Sequence, residues 1–440
     1  MAKRWISEWR PDDQGFWETR GRKVARRNLI FSVFAEHLGF TLWTVWSIVT
    51  VQLGSYEFST DQLFWMVALP NLVGSALRIP YTFAPARFGG RNFTVVSALL
   101  LLVPAVLLAV AVGDPGTPYW VFLLIAATAG LGGGNFASSM ANITYFYPQS
   151  KQGAALGLNA AGGNIGVSSV QLVMPLVIGA FGLAAAGLFW IPFILAAALG
   201  AYFFMDNLTS VKAGPRDQLK IAGRAQTWIM AVLYIGTFGS FIGYSTAFPL
   251  LIKSQFPEQA SLVGLAFLGP LLGSLIRPVG GWLSDRLGGA RVTLVNFAAM
   301  AGAAALVWQG VAQHGFPLFF GAYMLLVATT GIGNGSTYRM IPAIFRAKAT
   351  EGITPGTPAY DTALTVGKRD ASAAIGIISA IGAFGGFFIN RGFGSSIAAT
   401  GGAGAALAAF AGFYAMCALL TWACYLRTAG PVRSLATARV

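Results

Sequence analysis

Twelve apolar segments, each about 20 residues long, run through this chain near 29–52, 62–85, 93–113, 118–146, 153–179, 182–205, 227–252, 260–284, 292–313, 317–345, 371–391 and 402–426. A helix of that length crosses a ~30 Å hydrocarbon core, and lipid leaves no other way to satisfy the backbone of an isolated segment. With 55% hydrophobic and only 10% charged residues, the 440 residues are not two or three soluble domains. They read as an all-α membrane protein of 12 transmembrane helices.

Charge gives the orientation. Of the 29 lysines and arginines, 24 fall on one side of these spans: eight in an N-terminal arm, three in the tail and the rest in alternate loops. Lys253 and Arg391 lie on the other side. Basic residues favour the cytoplasmic face, so both termini are expected there. The same bias explains the net charge of +14, through contact with anionic lipid headgroups, so no nucleic-acid partner is needed. Residues 1–28 lack the short apolar core of a signal peptide, so the first span is expected to be retained. Cys417 and Cys424, seven apart in the last span, read as packing residues.

The chain also repeats itself. A shift of 199 places Arg78 on Arg277, Arg87 on Arg286, Gly89 and Gly90 on Gly288 and Gly289, and Gly132, Gly134 and Asn135 on Gly331, Gly333 and Asn334. After an insertion in the loop between spans 10 and 11, a shift of 219 places Gly157, Gly163 and Gly166 on Gly376, Gly382 and Gly385. Six spans are thus repeated in parallel, an arrangement that places a transport site where the repeats meet. The expected divisions are a cytoplasmic arm (1–28), a six-helix bundle (29–205), a cytoplasmic linker (206–226), a second six-helix bundle (227–427) and a cytoplasmic tail (428–440).

Within the first repeat, residues 130–166 hold nine glycines and four asparagines, with Lys151 the one charge. Lipid anchoring needs none of these, whereas close-packed helices around a polar path need both. Three arginines fall inside the spans: Arg78, Arg277 and Arg339. A buried charge there costs at least ~2.5 kcal/mol and usually faces a cavity. Arg339 is near enough to a helix end to reach the interface. Arg78 and Arg277 lie roughly 10 to 12 Å deep at matching positions, so they are expected to meet at one depth. The plainer reading is two structural arginines, each bonded to backbone carbonyls. Two guanidinium forks facing one cavity define an anion site. The candidate neighbours Phe40, Phe136, Asn164, Tyr234 and Phe238 are rings and an amide, which suits a small planar anion held at its edge and covered on its faces.

The segment from Gly281 to Val292, GWLSDRLGGARV, resembles the cytoplasmic-loop motif of the major facilitator superfamily, in which an acid and arginines latch helix ends. Its first-half copy keeps Arg87, Gly89, Gly90 and Arg91 but has Ala86 where the acid belongs. Almost the whole chain resembles the nitrate/nitrite porters of that superfamily, often called NarK. GGGNFASSMANITYFYPQSKQGAALGLN reads as their first signature, and GIGNGSTYRMIPAIF, from Gly331, as the second. SALRIPYTF, from Ser75, and LGPLLGSLIRPVGG, from Leu268, resemble the segments with the family's two substrate arginines. The resemblance implies a major facilitator fold of two six-helix parallel repeats in a bacterial inner membrane, moving nitrate and nitrite by alternating access. It implies that Arg78 and Arg277 bind the anion, with Asn164, Tyr234, Phe136, Phe238 and Phe40 lining the pocket. It further implies that Gly153, Gly157, Gly163 and Gly385 let spans 5 and 11 flex or slide. Their plainer role is tight helix packing.

An enzyme is not expected. His37 and His314 are the only histidines, no metal-ligand spacing occurs, and the glycine runs match no nucleotide-binding motif, so no cofactor or metal is expected. Rival readings are a porter of another small planar anion and a non-transporting anion sensor. The protein is expected to act as a monomer. Coupling stays open between nitrate/nitrite exchange and proton–nitrate symport. Of 15 acids only Glu36 falls inside a predicted span, beside His37 and at about the depth of Arg78, where a salt bridge is geometrically open. Protonating Glu36, relayed by His37, would free the arginine for nitrate. Alternatively, Glu36 pairs with a basic residue at the cytoplasmic mouth while exchange proceeds.

Overall fold

The computed structural model describes residues 4–209, 220–427 and 440. Residues 210–219 of the expected linker and 428–439 of the expected tail lie outside the described residues.

Among the described residues, eleven helices are long and apolar enough to cross a membrane, and counting a bent pair as one span brings the number to twelve. In chain order they are α1 (Gln14–Gln52), α2 (Thr60–Phe88), α3 (Gly90–Val112), α4 (Tyr119–Phe146), α5 (Gln149–Phe181), α6 (Ala185–Phe204) and α7 (Ala225–Gln255). There follow α8 (Pro257–Leu265 with Leu268–Leu287), α9 (Gly289–Ala312), α10 (Phe316–Ala349), α11 (Pro358–Thr400) and α12 (Gly404–Leu426). The outer surface is apolar, with Leu176, Phe181 and Val295 each more than two-thirds exposed, while Asn71, Arg78, Asn135, Asn159, Asn164 and Gln171 are buried. Polar inside and apolar outside is the pattern of helices solvated by lipid.

Several boundaries depart from the expected spans, each for a local reason. Helix α1 starts at Gln14 rather than near residue 29, because Asp13 caps it by accepting from Phe16 N. The arm before it is folded on the first bundle: β1 (Trp5–Ile6) pairs in parallel with β2 (Asn207–Leu208), and the Trp9 indole donates to Tyr145 O. Helix α8, expected as one span near 260–284, is two helices meeting at a 43° bend. Helix α11 begins at Pro358, well before residue 371, because Thr357 accepts from Tyr360 N and Pro358 suits the first turn.

The repeat extends to the backbone. Gly89, between α2 and α3, has φ +87°, and Gly288, between α8 and α9, has φ +90°. Only glycine adopts that conformation without strain, so the two helix ends turn on residues 199 apart for one reason. Ser75 and Ser274, also 199 apart, each bond the carbonyl one turn back at 2.6 Å.

The described chain divides into two compact units. The first is Met1–Gly214 with Thr246–Lys253 and Ser261–Phe267; the second is Pro215–Ser245, Ser254–Ala260 and Leu268–Val440. In the first, α4 packs on α2 and α1, and α1 also packs on α5; in the second, α10 packs on α8 and α9, and α11 packs on α7. These crossings depend on absent side chains. A Cβ on Gly132 would overlap the carbonyl of Gly39, and one on Gly335 would overlap the carbonyl of Arg277. Lipid provides no hydrophobic drive between helices, so such close backbone approach supplies the packing energy.

Candidate functional site

In the first unit the site is built on α1, α2 and α4. Arg78 of α2 is fully buried. Its Nε donates to Gly133 O at 3.1 Å, which fixes the stem and aims the fork. The guanidinium carbon lies 4.6 Å from the Phe136 ring centre and 5.3 Å from that of Trp43. Rings replace part of the lost hydration through cation–π attraction. Phe40 completes the group, edge-on to Trp43 at 5.2 Å and 6.1 Å from Phe136. Trp43, which the sequence reading missed, is held in a slot: its indole donates to Pro70 O at 2.8 Å, and a Cβ on Gly74 or Gly133 would lie 2.6 or 2.7 Å from its ring. Part of the glycine-rich stretch thus serves to admit one tryptophan.

In the second unit the corresponding parts are on α7, α8 and α10. Arg277 is buried, with its guanidinium carbon 5.4 Å from the Tyr338 ring centre. Tyr338 stands 6.4 Å from Tyr234, which stacks on Phe238 at 5.3 Å with planes 13° apart. A widened π turn, Ile235–Gly239, lies in the same stretch of α7. Such turns often sit at functional sites. Gly382 makes room for the Tyr234 ring, and a Cβ on Gly385 would lie 2.6 Å from Gly239 Cα.

Two of the expected anion-site residues, Arg277 and Asn164, carry unmet hydrogen-bonding capacity. Among the described residues, Nη1 of Arg277 and both amide atoms of Asn164, on α5, are buried without a hydrogen-bond partner. Leaving a buried polar group unpaired costs about 1–3 kcal/mol, more for a charged one. Sites that await a polar ligand carry that cost.

Elsewhere the expected site residues sort differently. Glu36 accepts from Asn159 Nδ2 at 2.7 Å, and His37 Nδ1 donates to Gly162 O at 3.0 Å. Gly163 packs against the Glu36 carboxylate, whereas Gly153 and Gly157 face open space, so close packing does not account for their lack of a side chain. Arg339 pairs with Asp285 of the loop motif at 2.5 Å. At the first-repeat positions, Ala86 and Met140 replace both members, so the whole ion pair is confined to one repeat. No cluster of three metal-ligating side chains occurs among the described residues.

Residues 29–353 match the profile of the Major Facilitator Superfamily. The nitrate/nitrite transporter NarU of Salmonella typhimurium is 43% identical, with 96% of each chain covered. The probable nitrate/nitrite antiporter NarK2 of Thermus thermophilus is 38% identical, over 96% of this chain and 97% of that one. Among solved structures, the inward-open xylose transporter XylE of E. coli superposes with a TM-score of 0.68 at 14% identity, covering 93% of this chain and 98% of that one. At that identity XylE shares the fold alone. The chain belongs to the Major Facilitator Superfamily and, within it, to the family of the NarU and NarK2 nitrate/nitrite transporters.

Proposed function

We propose that this protein carries nitrate and nitrite across a bacterial inner membrane by alternating access, with both termini cytoplasmic and with Arg78 and Arg277 as its anion-binding residues. One observation carries the reading. Two arginines 199 residues apart are both buried against aromatic rings, and Nη1 of Arg277 lacks a hydrogen-bond partner among the described residues. A planar guanidinium offers parallel N–H donors that match two oxygens of a flat oxyanion. Asn164 supplies one more donor, and Phe40, Phe136, Tyr234 and Phe238 supply faces. The names of the relatives support nitrate and nitrite as the anions. The open surroundings of Gly153 and Gly157 support a hinge role in α5, while the close packing of Gly163 and Gly385 suits sliding contacts.

Calorimetric titration of the purified protein with nitrate, nitrite, formate, bicarbonate and chloride tests this reading. Nitrate and nitrite are expected to bind at least about tenfold more tightly than chloride, a difference of ~1.4 kcal/mol. Equal affinity for all five would leave a non-selective anion carrier. A further expectation concerns the rings. Phe136→Ala or Phe238→Ala widens the site, so pyramidal chlorate should compete with nitrate several-fold better than in wild type; unchanged competition would remove the rings from the site.

A further inference from the structure

We propose that Glu36, Asn159 and Ser139 form a proton-binding site that couples anion movement to a proton, a reading that rests on the transport function proposed above. Among the described residues only two acidic side chains are buried, Asp206 and Glu36. Asp206 is paired with Arg27 and bonded to Asn28 at a helix end. Glu36 lies mid-helix, 1% exposed, with Oε2 accepting from Asn159 Nδ2 at 2.7 Å. The same Nδ2 donates to Ser139 Oγ at 2.7 Å.

An amide is the partner that serves a carboxyl group in both of its states. Its NH₂ donates to the carboxylate; turned over, its carbonyl accepts from the carboxylic acid. Asn159 Oδ1 is buried and has no hydrogen-bond donor among the described residues. Taking up one proton at Glu36 therefore supplies the O–H that this oxygen lacks, and the proton leaves again as the amide turns back. No bond other than the carboxyl O–H forms or breaks.

The site also has a place for the carrier of that proton. A cavity of about 10 Å³ touches Glu36, and Ala35 joins the hydroxyl and amide residues Ser32, Thr94, Ser97, Asn135, Ser138 and Ser139 in lining it. That is room for about one water. Asn135, on its wall, has both amide atoms buried and unbonded among the described residues.

Coupling follows from where the pieces sit. Asn159 and Gly163, one turn apart on α5, form the notch that holds the carboxylate; a Cβ on Gly163 would lie 2.6 Å from Glu36 Oε1. One turn further along α1 is Phe40, and one residue beyond Gly163 is Asn164, both assigned to the anion site above. Charging or neutralising Glu36 thus acts on the contact between the two helices that carry those residues. Of the helices packed on α1, α4 and α6 carry no charged side chain. The others bring Asp61, Arg78 and Arg87 of α2, Arg91 of α3 and Lys151 of α5. Arg87 lies over Phe88, Arg91 bonds Tyr202 O and Lys151 lies over Trp17, leaving Arg78 the buried cation of the set. His37, next in the chain, directs its Nδ1–H to Gly162 O, so Nε2 is the nitrogen able to accept a proton. An ionised Glu36 adds one negative charge to the bundle that holds Arg78, and protonation removes it.

The test uses the full-length protein in proteoliposomes. Labelled nitrate uptake is driven by an imposed proton gradient, acid outside, and compared with nitrate/nitrite counterflow at equal pH. Wild type is expected to show both, with external alkalinisation on adding nitrate. In Glu36→Gln the ratio of gradient-driven uptake to counterflow should fall more than tenfold and the alkalinisation should vanish. Asn159→Ala removes a donor to the carboxylate, so the pH midpoint of gradient-driven uptake should move upward. Gradient-driven uptake retained in Glu36→Gln, or absent from a wild type that performs counterflow, would overturn the proton site. Absence of counterflow from wild type would instead overturn the nitrate/nitrite reading.

Discussion

Arg78→Lys and Arg277→Lys should each weaken nitrate binding by more than tenfold, or over ~1.4 kcal/mol, while the protein stays folded. Lysine keeps the charge and loses the fork: a compact ammonium cannot offer two parallel donors, nor stack on a ring as a guanidinium does. At Arg78 the change also removes the Nε bond to Gly133 O and the contact with Phe136. At Arg277 it removes the contact with Tyr338. Calorimetry measures the affinity, and circular dichroism checks the helix content. Near-normal binding in both lysine variants would return these residues to a structural role.

Gly335→Val should cost about 3 kcal/mol of stability and lower the melting temperature in detergent by several degrees, because overpacking a tight crossing forces backbone to move. A Cβ at this position would overlap the carbonyl oxygen of Arg277 on the facing helix, and backbone cannot swing aside as a side chain does. Since the displaced residue is Arg277 itself, whatever protein survives should bind nitrate less well. Gly302→Val is the control: nothing lies within 4 Å of its Cβ, so its melting temperature should match wild type. Equal melting temperatures for the two variants would mean that α8 and α10 do not cross on bare backbone.

The fold was legible because lipid permits few solutions and because duplication repeats its punctuation. The shift of 199 that aligns Arg78 with Arg277 also aligns Gly89 with Gly288, and both glycines adopt the same left-handed turn. The ends of α1, α8 and α11 were less legible, because capping and bending there depend on Asp13, Thr357 and the 43° break rather than on hydropathy. In the site, the arginines stood out as charges in apolar runs and Phe136 was among their expected neighbours, whereas Trp43 and Tyr338 were not. The aromatic partner of Arg78 is Phe136, and its counterpart by the 199 shift is Gly335. The partner of Arg277 is Tyr338, whose counterpart is Ser139. The repeat kept the arginine and moved the ring by about one helical turn, so symmetry alone does not lead from Phe136 to Tyr338. Trp43 was hidden among 12 tryptophans. The signal that could have found it is its spacing of three from Phe40, which puts both on one helix face. Asn159 was masked by the neighbouring Asn164, and its hydrogen bond to Glu36 is visible only in the folded chain.

Counterflow tests the central claim most directly. Purified protein in liposomes preloaded with unlabelled nitrite should accumulate labelled nitrate transiently above its equilibrium level, and the Arg78→Lys and Arg277→Lys variants should not. Binding of nitrate without any such accumulation in wild type would contradict transport and make the protein an anion sensor built on a transporter fold.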